Sequence, residues 1–105
     1  MVYLSNHAQD NWRDRTPETT SKTIQWGWDH GSPVDHVTSF FENEEGEIAD
    51  EVRLLHAVTP VGDEYAMILI RQDDTLVTTY DYSGVSDNRV EAYLDEISYR
   101  SLVYE

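Results

Sequence analysis

The period of apolar positions changes near residue 37, dividing the chain into a helical half and a strand-rich half. In the first half, Leu4, Ala8 and Trp12 fall on one helical stripe, and Asn6 with Gln9 forms a capping-box pattern, which predicts a helix over Asn6 to Arg15. His7, Asn11 and Asp14 form its polar border. Thr16-Pro17-Glu18 then reads as a second helix start, with Thr16 as N-cap, Pro17 at the first helical position and Glu18 facing the positive dipole end. Gly31 and Pro33 would stop that helix near His30. Inside it, Ile24, Trp26 and Trp28 alternate with period two, as in a strand, while Ile24 and Trp28 alone keep helical spacing; we read helix.

From Val37 onward, four segments read as strands bounded by turn residues: Val37 to Phe41, Val52 to Val58, Tyr65 to Gln72 and Leu76 to Tyr82. Pro60-Val61-Gly62-Asp63 and Asp73-Asp74 supply tight turns, so the last three strands should be an antiparallel meander. Ala66 to Ile70 is apolar at every position, which requires cover on both faces and places it centrally. The acidic run Glu42, Glu44, Glu45 and Glu47 around Gly46 reads as a connection. Ser86 caps a last helix with Asp87 in its first turn, and Val90, Tyr93, Leu94 and Ile97 give it one apolar face to lay on the sheet. The expectation is one α+β domain over residues 1–105, with two N-terminal helices, a four-stranded antiparallel meander and a C-terminal helix.

Composition alters the environment expected around this fold. Acidic residues number 21 against 7 basic ones, for a formal charge of −14, and Lys22 is the only lysine. Such an excess repels itself in dilute buffer, but at molar salt the Debye length falls to about 3 Å and the repulsion is screened. Replacing lysine by arginine and acids also trims exposed apolar stem. The composition therefore points to a halophilic protein; genome base composition would explain arginine over lysine but not the acidic excess. An acidic nucleic-acid mimic is the other reading. No cysteine is present, which excludes disulfide and thiol chemistry. The longest apolar run is far short of a membrane span and no signal sequence opens the chain, so a cytoplasmic protein is expected.

The stretch His7-Ala8-Gln9-Asp10-Asn11-Trp12-Arg13-Asp14-Arg15 resembles the His-Ala-x-x-Arg-x-x-Glu-Arg motif that opens small helix-then-sheet proteins akin to RelE-like toxins. Asn11 stands where that motif has arginine, and Asp14 where it has glutamate. The segment Ala66 to Tyr82 is similar to the closing hairpin of the same proteins. The resemblance implies the barnase-EndoU-colicin-RelE architecture, whose members are often metal-independent ribonucleases, while several branches have no assigned activity.

Metal-free RNA cleavage needs a base for the 2′-hydroxyl, an acid for the leaving oxygen and a cation for the charge developing on phosphorus. His7, Tyr80 or Tyr82, and Arg13 or Arg15 are the candidates. The competing view of His7 is a half-buried structural residue hydrogen-bonded to Asn11 or Asp14, with no catalytic part. Asp29, His30, Asp35 and His36 are metal-ligand types, but no His-x₃-His on a helix and no thiolate accompanies them, so neither metal nor cofactor is expected. His56, and the three tryptophans Trp12, Trp26 and Trp28, read as structural. The expected partners are RNA or a protein, and not a membrane. A non-catalytic acidic module that binds a basic protein or mimics nucleic acid is the rival function, with Phe40-Phe41 or Leu102-Val103-Tyr104 as its apolar contact. Dinucleotide and nucleophile-elbow chemistry find no motif here.

Overall fold

A computed structural model describes residues 2–100 and 102–105 of the chain. In chain order the elements are β1 (Tyr3–Leu4), α1 (Asn6–Arg15), α2 (Ile24–His30), β2 (Ser32–Pro33), a 3₁₀ helix (Asp35–Phe40), β3 (Glu51–Val58), β4 (Glu64–Gln72), β5 (Thr75–Asp81), a short 3₁₀ turn (Tyr82–Gly84), α3 (Asn88–Arg100) and β6 (Leu102–Tyr104). The fold is α+β, as the patterning implies. Its sheet differs from the expected meander: among the described residues it has six strands, in the order β1-β5-β4-β3-β2, and β6 adds to β3 beside β2. The β3-β4-β5 core is antiparallel, whereas β1 pairs with β5 and β6 with β3 in parallel.

β4 is central, and the two cores explain why. Tyr65, Met67 and Leu69 pack on one face against Ala8, Trp12, Ile24 and Trp28 of the first two helices. Ile68 and Ile70 pack on the other against Val37, Val90 and Leu94. A strand covered on both sides must be apolar at every position, which is the run that marked it in the sequence.

Three local expectations are corrected. The segment from Val37 to Phe41 is not a strand, because Asp35-His36-Val37-Thr38 closes a tight helical turn: the Val37 and Phe41 N–H groups donate to Val34 and Thr38, and Thr38 Oγ1 donates to Asp35 O. Short polar side chains that satisfy the backbone locally remove the need for a strand partner. The second helix begins at Ile24, not Pro17. Thr16 belongs to the end of α1, where its N–H and Oγ1 both donate to Trp12 O, and Thr23 supplies the N-cap of α2 by accepting from Trp26 N–H. The remaining caps shift by a residue: Ser5 rather than Asn6 caps α1, and Asp87 rather than Ser86 accepts from the first N–H groups of α3.

One irregularity shapes the site. Between β4 and β5 the register steps from Ile70↔Thr78 to Arg71↔Leu76, so Val77 is an extra residue on β5. Such a bulge bends and twists the strand. Beyond it, α1 lies along the edge of β5 and occupies backbone groups that an edge strand would otherwise expose. Ser5 Oγ donates to Val77 O at 3.2 Å and Arg15 Nη1 to Thr79 O at 2.7 Å.

Candidate functional site

The seam between α1 and β5 carries three of the five residues named from the sequence: His7, Arg15 and Tyr80. His7, Asn11 and Arg15 are spaced by four along α1 and so share one stripe, about 12 Å long at about 1.5 Å rise per residue. Asn11 is its centre: its Nδ2 group donates to His7 Nε2 at 3.0 Å and to Thr78 Oγ1 at 3.1 Å. At the far end, the Arg15 guanidinium holds Thr79 O and lies 5.5 Å from the centroid of the Tyr80 ring. Contacts of about 3 Å thus tie the imidazole to Asn11 and Asn11 to Thr78, while the guanidinium is held at the next residue of β5, Thr79. His7 and Arg15 are exposed, and no described residue hydrogen-bonds the Tyr80 hydroxyl.

The contact between His7 and Asn11 suits one tautomer of the ring. An amide N–H₂ donates, so Nε2 accepts, and in the neutral ring the proton sits on Nδ1. The contact with Asn11 anticipated for a structural histidine is therefore present, while the ring faces solvent rather than being half-buried.

Arg13 does not join the stripe. Two residues before Arg15 it projects from a different face of α1, where it pairs with Asp10 at 3.1 Å and is 74% exposed. Tyr82 is also set apart. It lies beyond the end of β5 and its hydroxyl donates to Glu91 O and to the Asp95 carboxylate, fastening it to α3. Burial, that donated bond and the charges of Asp95 and Glu91 together hold its hydroxyl well above the ordinary tyrosine range.

The other histidines and acids fill structural posts. His30 stacks on Trp26 with centroids 4.6 Å apart, Asp29 accepts from Gln25, and His36 meets the Tyr93 ring edge-on. Among the described residues no three His, Asp or Glu side chains form a group that could hold a metal ion. His56 Nδ1 bonds Ser98 O at 2.8 Å. Trp12 and Trp28 are core residues. The Trp12 indole N–H donates to Lys22 O, and Arg53 lies 4.0 Å over the Trp28 ring.

A polar knot of a different kind lies where β4 begins. Glu105 accepts from Thr20 Oγ1 and from Tyr65 OH, each at 2.6 Å, and from Ser21 N–H. Burial pushes its carboxyl upward, but those three bonds and the charge of Lys22 outweigh it, leaving the acid below its ordinary value. Burial, and then the bond to this carboxylate, drive the Tyr65 hydroxyl the other way.

Sequence reasoning missed Thr78 and the cavity beside Tyr80. That cavity, about 270 Å³, opens on the face opposite α2 and is lined by Phe40, Phe41, Tyr80, Ile70 and Val77 among others. Phe41 and Tyr80 lie 6.4 Å apart at 26° between planes. No local sequence signal marks it, because it depends on the bulge at Val77, which only the β4/β5 register shows.

No helix among the described residues is long and apolar enough to cross a membrane. Neither a curated protein nor a solved structure matches the chain. Residues 4–83 do match a family model, described as "Putative RelE superfamily toxin domain". That span runs from β1 through β5, includes the whole α1/β5 seam and covers more than half of the 105 residues. The chain therefore belongs to this family of RelE superfamily toxin domains.

Proposed function

We propose that this domain is a toxin-like RNA endonuclease that needs no metal, with its chemistry at the α1/β5 seam. The observation that carries the reading is the alignment of His7, Arg15 and Tyr80 along one strand edge, in a chain whose family is that of toxin domains. In this reading RNA displaces Asn11 from His7, and Nε2 takes the proton of a 2′-hydroxyl. The freed oxygen attacks phosphorus, the bond from phosphorus to the 5′-oxygen breaks, and the Tyr80 hydroxyl supplies that oxygen with its proton. The products are a 2′,3′-cyclic phosphate and a free 5′-hydroxyl end. Arg15, a planar donor suited to phosphate, offsets the charge that builds up on the phosphoryl oxygens.

The −14 charge opposes RNA binding in dilute buffer. Screening at molar salt weakens that opposition, and we place the working environment of the protein there. The test is cleavage of single-stranded RNA in molar potassium chloride with chelator present. Wild type should cut, and His7→Ala should lose a factor of roughly 10² to 10⁴, the usual contribution of a general base. Uncut RNA with wild-type protein of verified fold would remove the catalytic reading.

A further inference from the structure

The cavity beside Tyr80 takes no part in the chemistry proposed above, and its lining has a consistent character. Three aromatic rings, Phe40, Phe41 and Tyr80, wall it, and Glu42, Glu47 and Asp87 stand at its margin. Aromatic faces attract cations through their quadrupole, and carboxylates attract them directly. Two of the three rings already carry a guanidinium from this chain: Arg15 lies 5.5 Å from the Tyr80 centroid and Arg89 lies 5.0 Å from that of Phe40.

The charges at the margin do not cancel. Arg89 is matched by Asp87 at 3.1 Å, so that pair is neutral. Glu42 and Glu47 have no basic partner among the described residues; Glu47 only accepts from the Asn43 amide at 3.3 Å. Both are exposed, so the cost of keeping them charged is small until a ligand covers them. Phe40 is 42% exposed, which leaves ring surface for a further contact. The volume of about 270 Å³ falls just below the roughly 300 Å³ at which ligand pockets usually begin. It suits one side-chain-sized group, and its carboxylates would repel the phosphate of a nucleotide.

We propose that this cavity binds an organic cation, a guanidinium or ammonium group on an apolar stem, with the stem against Ile70 and Val77, the cation on the Phe40 and Phe41 rings, and Glu42 and Glu47 closing over it. The source is a free amine or an arginine or lysine side chain of a partner, and the chemistry is the same for both. Arginine fits best, because its planar head can stack on rings, and Arg15 and Arg89 already lie over two of these. The inference stands apart from the ribonuclease reading. Tyr80 nonetheless belongs to both places, so an occupant also alters the seat of Arg15.

The experiment is an NMR amide-shift titration of the full chain at the lowest potassium chloride concentration that keeps it folded. Three probes are compared: agmatine, acetyl-Ala-Arg-Ala-amide, and the same peptide with citrulline, which keeps the shape and lacks the charge. Agmatine and the arginine peptide should shift amides at Phe40 to Glu42 and at Val85 to Val90, and citrulline should not. The double variant Glu42→Gln/Glu47→Gln, whose altered side chains are exposed, should bind at least tenfold more weakly with unchanged circular dichroism. Tighter binding of the peptide than of agmatine assigns the cation to a polypeptide, and the reverse assigns it to a free amine. Equal shifts from citrulline, no shift from either cation, or undiminished binding by the double variant would overturn the proposal.

Discussion

Gly27 sits inside α2 with its Cα pressed against Trp12, the residue that anchors α1 to the core, and replacing it by alanine tests how firmly that anchor is held. A Cβ at this position would lie 2.6 Å from Trp12 Cη2, 2.7 Å from Cζ3 and 3.3 Å from Leu55 Cδ2. The indole cannot easily yield, because its N–H donates to Lys22 O and its ring meets Tyr65 edge-on with centroids 6.2 Å apart. Alanine in a helix interior gains about 0.8–1.0 kcal/mol over glycine, whereas overpacking a rigid core costs about 1–3 kcal/mol. The clash should win, leaving Gly27→Ala less stable by up to about 2 kcal/mol. For a domain near this size that lowers the melting temperature by roughly 4–8 °C per kcal/mol. Because Trp12 and the His7–Asn11–Arg15 stripe share α1, the same displacement should disturb the seam. Thermal melts in molar potassium chloride measure the effect, and a second background isolates its cause. Trp12→Phe removes Cη2 and Cζ3, so Gly27→Ala made in that background should be neutral or stabilising. A Gly27→Ala protein that melts above wild type, or an equal loss in both backgrounds, would refute the packing argument.

The remaining predictions concern charge. The melting temperature of wild type should rise strongly from low to molar potassium chloride as self-repulsion is screened, and equal stability at both salts would remove the halophilic proposal. Glu105→Ala should cost about 1.5–3 kcal/mol at neutral pH, the usual worth of hydrogen bonds to a charged group. Because the folded-state acid of Glu105 lies below its ordinary value of 4.5, that contribution is full above 4.5 and is lost as pH falls through the lowered value. Acid melts of the two proteins should therefore converge, and a gap unchanged at low pH would contradict the sign. Arg15→Gln should lower RNA cleavage by roughly 10² to 10³, while Arg13→Gln stays within a few-fold of wild type; equal losses would show that the seam does not select between them.

The elements that patterning located well are those whose burial repeats over several turns or residues. α1 falls on Asn6–Arg15 as its stripe implied, and β3, β4 and β5 lie within a residue of their predicted limits. The Trp26 ambiguity resolves through two helical faces: Ile24 and Trp28 are buried at i, i+4, while Trp26 stacks on His30 at its own i+4. β1, β2 and β6 escaped because two or three residues cannot display a period, and their pairing is set by distant partners. Val37 to Phe41 misled because alternation over five residues is also met by a turn that buries Val37, with Phe41 only partly covered. At the seam, His7 and Arg15 were legible as residue types. That Arg15 and not Arg13 reaches β5 follows from helix phase relative to the sheet, which requires knowing that α1 lies along the strand edge. The aromatic cavity depends on the bulge at Val77 and on the 3₁₀ turn that delivers Phe41 beside Tyr80, neither of which has a local sequence signature.

The most direct test of the account is product analysis after incubating single-stranded RNA with the purified protein in molar potassium chloride and excess chelator. Wild type should leave fragments ending in 2′,3′-cyclic phosphate, should spare an oligonucleotide whose sugars lack the 2′-hydroxyl, and should lose this activity on His7→Ala without loss of melting temperature. Fragments produced equally by the His7→Ala protein, cleavage of the 2′-deoxy substrate, or intact RNA in the presence of folded wild type would contradict the assignment of chemistry to the α1/β5 seam.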